Sequence, residues 1–263
     1  MSEALQRQYG EELYQALLAG RTLAPLTERW PQITIEDAYR ISLNSIERRV
    51  AAGDAIVGKK IGVTSEAVQR MLNVHQPDFG FITRDMSFDC GADISLAEHR
   101  LIQPRAEGEI AFKLKHDLQG PGVTEQDVLD ATECVMACFE IVDSRIHDWK
   151  IRIQDTVADN ASCGVFVLGR EQVDPRGLDL PNLRMTVYKN GVPISEGLGS
   201  AVQGNPLTAV AWLANTLGAF GIPFKAGEII LSGSLVPLEP ARAGDRFELN
   251  IDGLGSARVS FRP

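Results

Sequence analysis

Cysteine is scarce: Cys90, Cys134, Cys138 and Cys163 are the only four in 263 residues, and no two of them form a C-x-x-C pair. Neither a disulfide framework nor a zinc or redox motif follows from such spacing, so the thiols are expected as reduced packing residues. Histidine is equally sparse. His75, His99, His116 and His147 show no H-E-x-x-H or other metal spacing, and no G-x-S-x-G elbow is present, so zinc and serine-hydrolase chemistry lack support. Positive charge is in deficit, with 26 Lys and Arg against 35 Asp and Glu for a net −9. Nucleic acids and anionic membranes favour a basic face and are not expected partners. No apolar run approaches the roughly 18 residues of a membrane span. Residues 1–7 carry no basic segment leading into an apolar stretch, so a soluble, cytoplasmic protein is expected. Residues 53–59 fit G-x-x-x-x-G-K, but Lys60 stands where a phosphate loop needs Ser or Thr for magnesium, which excludes the nucleotide reading.

What is present is ordinary globular material, 44% hydrophobic and 23% charged, enough for one large domain or two small ones. Thr34 caps a helical pattern of Ile35, Tyr39, Leu43, Ile46 and Val50 that ends near Gly53. A short helix after Thr64-Ser65-Glu66 runs to Leu72, and Gln76-Pro77-Asp78-Phe79-Gly80 breaks it. From about Asp85 the period becomes two. Ile110, Phe112 and Leu114 then face one side of a strand, and Glu107, Glu109 and Ala111 face the other. Thr124 opens a helix expected through Val128, Ala131 and Val135, before a buried strand over residues 138–142. Asn205-Pro206 starts the clearest helix, and strands follow at 228–231, 246–251 and 257–261, the last two able to pair as a hairpin. The class is α+β. A helical N-terminal part over residues 1–75 joins a β-rich body over 76–263 as one integrated unit, with no repeat or linker between them.

Glu107-Gly108-Glu109 carries the chemistry, because positions i and i+2 of a strand place both carboxylates on one face, near enough to share a cation. Solvated acids on an exposed face are the plain alternative. Glu140 resists that alternative. It interrupts the apolar run Cys138, Phe139, Ile141, Val142, and a carboxylate buried there requires a cation or several hydrogen bonds. Three carboxylates without histidine or thiolate suit a hard divalent ion, Mg²⁺ or Mn²⁺, whose open positions a 2-oxo acid can chelate. Residues 155–164 are dense in small polar side chains, as site-lining loops are, although a turn capped by Asp159 and Asn160 accounts for them equally well. Lys60 lies between glycines and apolar residues where its charge can face a ligand, while surface solvation is the default for Lys59.

Several stretches together are familiar. Residues 226–233, 243–247 and 251–256 resemble the fumarylacetoacetate hydrolase superfamily, which implies a mixed β-roll body. Gly58-Lys59-Lys60-Ile61-Gly62-Val63-Thr64, Gln76-Pro77-Asp78-Phe79-Gly80, residues 103–109 and residues 157–162 are similar to its hydratase/decarboxylase branch, across essentially the whole chain. That branch holds 2-hydroxypenta-2,4-dienoate hydratases and 4-oxalocrotonate decarboxylases of the meta-cleavage degradation of aromatic compounds. The resemblance implies Glu107, Glu109 and Glu140 as metal ligands and puts Lys60 and Asp78 at the family's polar active-site positions; Lys60 and Asp78 are the catalytic candidates, and Ser162 with Asn160 the substrate-binding ones. Residues 144–150, with Asp155-Thr156 and Cys163-Gly164, look more like the hydratases. Hydration of the dienoate is the resulting expectation, by a homo-oligomer that can associate with a 4-oxalocrotonate decarboxylase. Decarboxylation, or service as a non-catalytic partner subunit, is the alternative. The superfamily's T-G-T-P is Ser232-Gly233-Ser234-Leu235 here, and no counterpart of the hydrolases' N-terminal histidine is evident, which disfavours hydrolytic carbon–carbon cleavage.

Overall fold

The computed structural model describes residues 1–263, the Met71 side chain excepted. Helices α1 (Glu3–Ala19), α2 (Leu26–Arg29) and α3 (Ile35–Ala51) come first. Thr34 and Asp37 close a reciprocal capping box on α3, and Asp37 also accepts from Gln6 of α1 at 2.9 Å, so one carboxylate caps a helix and ties it to its neighbour. Strand β1 (Ile56–Gly62), helix α4 (Glu66–Leu72) and strand β2 (Asp78–Thr83) follow, then β3 (Ser87–Asp89), β4 (Ala92–Ser95) and β5 (Arg105–Leu114). The chain continues through α5 (Glu125–Ala131), β6 (Thr132–Val142), α6 (Ile153–Ala158), β7 (Cys163–Leu168), β8 (Arg184–Lys189) and β9 (Val192–Leu198). It ends with α7 (Pro206–Gly218), β10 (Ile229–Ser234), β11 (Glu239–Pro240), β12 (Arg246–Ile251) and β13 (Gly255–Arg262). Among the described residues no helix is long and apolar enough to cross a membrane.

Two open sheets organise these strands. The larger runs β2-β1-β10-β5-β6-β7-β3, with β11 also on β5, and the smaller runs β4-β13-β12-β8-β9. The edge strands β2 and β3 are joined only by residues 84–86, so the large sheet curls strongly on itself. Alternation along β5 and β6 sorts two environments. Ile110, Phe112, Phe139 and Ile141 face the small sheet, where Phe247, Leu249, Val259 and Phe261 meet them. Phe139 and Phe247 cross edge-to-face at 6.2 Å. On the opposite face, Ala111, Cys134, Met136 and Cys138 join Ile82, Met86, Phe166 and Leu231 inside the curl. A third cluster holds α1 and α3 against Ile146, Ile153 and Val157.

Three expectations change. Residues 1–75 were expected to be the helical part, yet β1 lies between β2 and β10 in the large sheet. Its two lysines disguise it: adjacent strand residues point to opposite faces, and both sides are covered. Lys59 is therefore not solvated but 2% exposed, paired with Glu228 and donating to the Pro223 carbonyl at 3.3 Å. The helix expected through Val135 stops at Ala131, because the Thr132 hydroxyl bonds back to the Val128 carbonyl at 2.7 Å and β5 captures the chain beyond it. Val135 sits opposite Phe112 in the ladder. The capped helices α3, α4 and α7 and the β12–β13 hairpin stand where the sequence pattern puts them.

Gly58 is opposite Ile229 in the β1–β10 pair, and a Cβ there would stand 1.8 Å from the Ile229 carbonyl oxygen. Gly58→Ala is expected to cost about 3 kcal/mol, the upper end of overpacking, and to lower the urea midpoint accordingly. An unchanged midpoint would contradict this register.

Candidate metal and acid–base site

The site is built by strand register. Glu107 and Glu109 project from the same face of β5, and Glu140 of β6 lies directly opposite Glu107. Residues so paired have Cβ atoms about 5 Å apart. One carboxylate oxygen from each of the three lies within 4.8 Å of the others. Gly108 makes this possible from the other side, because a Cβ there would meet Met185 Sδ at 2.4 Å, where the small sheet packs. The Glu-Gly-Glu sequence thus gives two carboxylates to one face and a close sheet-to-sheet contact to the other.

Burial makes the cluster energetically demanding. Glu109 and Glu140 are fully buried and Glu107 half-buried. Glu109 accepts from the Gly233 N–H at 2.9 Å through one oxygen. Among the described residues, its other oxygen and Glu140 Oε2 have no donor, and Glu140 Oε1 makes no hydrogen bond, only an ion pair. Lys60 of β1 brings its ammonium 3.2 Å from Glu140 Oε1. Asp78 starts β2 opposite Gly62, and its Oδ1 also lacks a donor. A Cβ on Gly62 would lie 2.4 Å from that oxygen and 3.2 Å from Lys60 Nζ, so glycine gives the pair its room.

Four carboxylates around one ammonium shift one another. Burial, then the Glu140 charge, pushes Glu107 up to about 8. Burial and the charges of Glu140 and Glu107 hold Glu109 well above the usual carboxylate range. Asp78 is raised by burial to about 6 despite the opposing charge of Lys60. Burial works against the Lys60 charge, but Glu140, Asp78 and Glu107 outweigh it and keep Lys60 protonated. A divalent cation fits this set: the donors are all carboxylate oxygens, they converge, and their unpaired buried oxygens require a positive partner. Cys138 and Cys163 border the site as thiols whose pKa burial raises, so they add no thiolate to the donor set.

The remaining expected residues lie in the turn before β7. The Ser162 hydroxyl is 3.3 Å from that of Thr156. The Asn160 amide accepts from Phe81 N–H and donates to the Phe81 carbonyl, both at 2.8 Å, and so fastens the turn to β2. Gly80 passes beneath it, where a Cβ would be 2.4 Å from the Asn160 carbonyl oxygen. All seven residues singled out from sequence thus belong to one connected region. Sequence reasoning missed Thr64 and Gly233, which touch beside Glu109, and Arg145 and Asp159, which pair buried behind the turn at 2.7 Å. Glycines flanking Lys60 and Asp78 are the only local signal for that crowding, and nothing local announces the arginine.

The family model described as fumarylacetoacetate (FAA) hydrolase C-terminal matches residues 48–262. A 2-hydroxyhexa-2,4-dienoate hydratase of Comamonas testosteroni is 66% identical over 252 residues, 96% of each chain. A 2-hydroxypent-2,4-dienoate hydratase of Pseudomonas putida is 61% identical, covering 84% of this chain and all of that one. Among solved structures, 4-oxalocrotonate decarboxylase from Pseudomonas putida G7, complexed with magnesium and adipate, aligns with a TM-score of 0.96 at 33% identity over 99% and 98% of the two chains.

A carboxyl whose pKa is higher in the fold than in the unfolded chain stabilises at low pH, and that contribution is lost as pH rises through the folded value. For Glu107 the window runs from 4.5 to about 8. In protein stripped of divalent cations, the melting temperature is therefore expected to fall between about pH 5 and pH 8 more steeply than in Glu107→Gln. Parallel curves for the two proteins would show that this carboxyl carries no burial penalty.

Proposed function

The chain belongs to the fumarylacetoacetate hydrolase family, and from that premise we propose that it hydrates 2-hydroxypenta-2,4-dienoate to 4-hydroxy-2-oxopentanoate at the glutamate cluster, in the meta-cleavage degradation of aromatic compounds. It is a hydro-lyase. The observation that carries the reading is the convergence of Glu107, Glu109 and Glu140 on one point, with buried oxygens that no donor satisfies.

When bound there, a divalent cation supplies Lewis-acid polarisation of a chelating 2-oxo acid and offsets negative charge developing on its C2 oxygen. Oxygen-only ligands favour Mg²⁺ or Mn²⁺. Lys60, held charged by its acidic neighbours, binds and orients the carboxylate and C2 oxygens of the substrate. Asp78, with a pKa near 6, sits close to the boundary between acid and base at neutral pH, and is assigned the proton transfers at the distal carbons. C5 gains a proton as the C2 hydroxyl loses one, giving the α,β-unsaturated 2-oxo acid. Water then adds with its hydroxyl on C4 and its proton on C3. Ser162 donates a hydrogen bond to the substrate. Asn160 contributes mainly by holding β2, which carries Asp78, with one amide hydrogen left for substrate.

The decarboxylase alternative has the support of the solved structure, at 33% identity. Identities of 66% and 61% to dienoate hydratases favour hydration. A complete set of acidic ligands speaks against a non-catalytic subunit. The decarboxylase resemblance also supports an association with such an enzyme, whose released product this chain would consume.

The deciding measurement is loss of dienoate absorbance over a short series of C5-substituted substrates, with and without added Mg²⁺ or Mn²⁺, alongside CO₂ release from 4-oxalocrotonate. Turnover of the dienoates alone is expected, abolished by EDTA and restored by either ion; CO₂ release would replace hydratase with decarboxylase. Glu107→Gln is expected to fold normally and to lose about 10²- to 10³-fold in kcat, as when one stabilising group is removed. Wild-type turnover by that variant would remove Glu107 from the site.

A further inference from the structure

The turn before β7 holds three consecutive non-glycine residues in the left-handed region, Asn160, Ala161 and Ser162, with φ of 55°, 49° and 52°. Side chains there crowd the following carbonyl, so such runs persist only where the surroundings impose them. The imposing group is one buried guanidinium. Arg145 donates from Nη2 to the Asp159 carbonyl at 2.7 Å, just before the turn, and from Nη1 to the Cys163 carbonyl at 3.0 Å, just after it. Its Nε bonds Asp159 Oδ1 at 2.7 Å, and the backbone N–H of Arg145 bonds Oδ2 of the same carboxylate at 2.8 Å. Nη1 also reaches the Asp143 carbonyl.

The same knot reaches both halves of the site. The Asp143 carboxylate accepts from Ile102 and Gln103 N–H groups immediately ahead of β5, and its own N–H donates to the Ser162 carbonyl at 2.7 Å. Asn160 at the turn's start is doubly bonded to Phe81 on β2, the strand of Asp78. Glu107, Glu109 and Glu140, by contrast, are placed by the β5–β6 ladder itself.

We propose that Arg145 is a positioning residue for the hydration: it forces the 160–162 turn left-handed, and the turn in turn sets Ser162 and the strand bearing Asp78 against the glutamate cluster. The inference rests on the hydratase reading. Arg145→Lys keeps the charge and loses the fork that grips both ends of the turn. With Mn²⁺ present, kcat is expected to fall about 10²-fold, the scale of an ångström-sized misplacement. Because the ladder still holds the glutamates, Mn²⁺ affinity, read by titration calorimetry, is expected to stay within about threefold of wild type. Adding Ala161→Gly, which takes a positive φ without strain, is expected to recover much of the lost kcat. Asp159→Asn, the shape-conserving change on the other side of the pair, is measured in parallel in case Arg145→Lys does not fold, and is expected to reproduce the kcat loss at unchanged Mn²⁺ affinity. Wild-type kcat in a folded variant, or Mn²⁺ affinity falling in step with kcat, overturns the inference, as does an Ala161→Gly addition that restores melting temperature but not turnover. Wild-type protein that hydrates no dienoate sinks the functional reading instead.

Discussion

Four carboxylates and one ammonium share the inside of a curled sheet, and the rest of the structure is arranged around that imbalance. A buried carboxylate without a partner is among the most unfavourable groups a protein can hold. Among the described residues, Glu109, Glu140 and Asp78 each keep at least one oxygen with no donor, and Lys60 alone supplies positive charge within the cluster. Such an arrangement stands only because apolar packing on both faces of the large sheet is extensive enough to carry it. It also explains why the cluster is suited to a divalent cation: the ion offsets a repulsion already built in.

The sheet sets each distance in this cluster with backbone rather than with flexible side chains. Glu107 and Glu109 are separated by one strand repeat, and Glu140 is fixed opposite by the ladder. Glycines complete the fit, with Gly108 admitting the small sheet and Gly62 admitting Asp78 beside Lys60. The N-terminal helices close over the region, where Tyr39 of α3 stacks on Phe79 at 4.2 Å, next to Asp78. Placing a rigid set of oxygens in a water-poor interior strengthens every electrostatic interaction made there, which is what polarising a conjugated 2-oxo acid requires.

The division between the acid cluster and the turn separates two tasks. The ladder holds the three converging carboxylates, and the buried Arg145–Asp159 pair holds the turn proposed above to meet the organic part of the substrate. Enzymes that share a metal site but differ in the bond they make or break can diverge in the second set while keeping the first. Close structural similarity to a decarboxylase, together with much higher identity to hydratases, fits that division.

The linear sequence alone determined the α+β class, the capped helices at Thr34, Ser65 and Asn205, and the face shared by Glu107 and Glu109, because these follow from periods of 3.6 and 2 and from local capping chemistry. It also singled out Glu140, because an acid inside an apolar run is a local contradiction. Tertiary structure decided what depends on partners distant in the chain. Lys59 and Lys60 look alike in sequence, yet one meets Glu228 and the other Glu140, a difference made by which face of β1 each occupies. Arg145 carries no local sign of its importance, since its value comes from carbonyls and a carboxylate some 14 to 18 positions away. Periodicity reports which face a residue takes; only the folded chain shows which charge is waiting there.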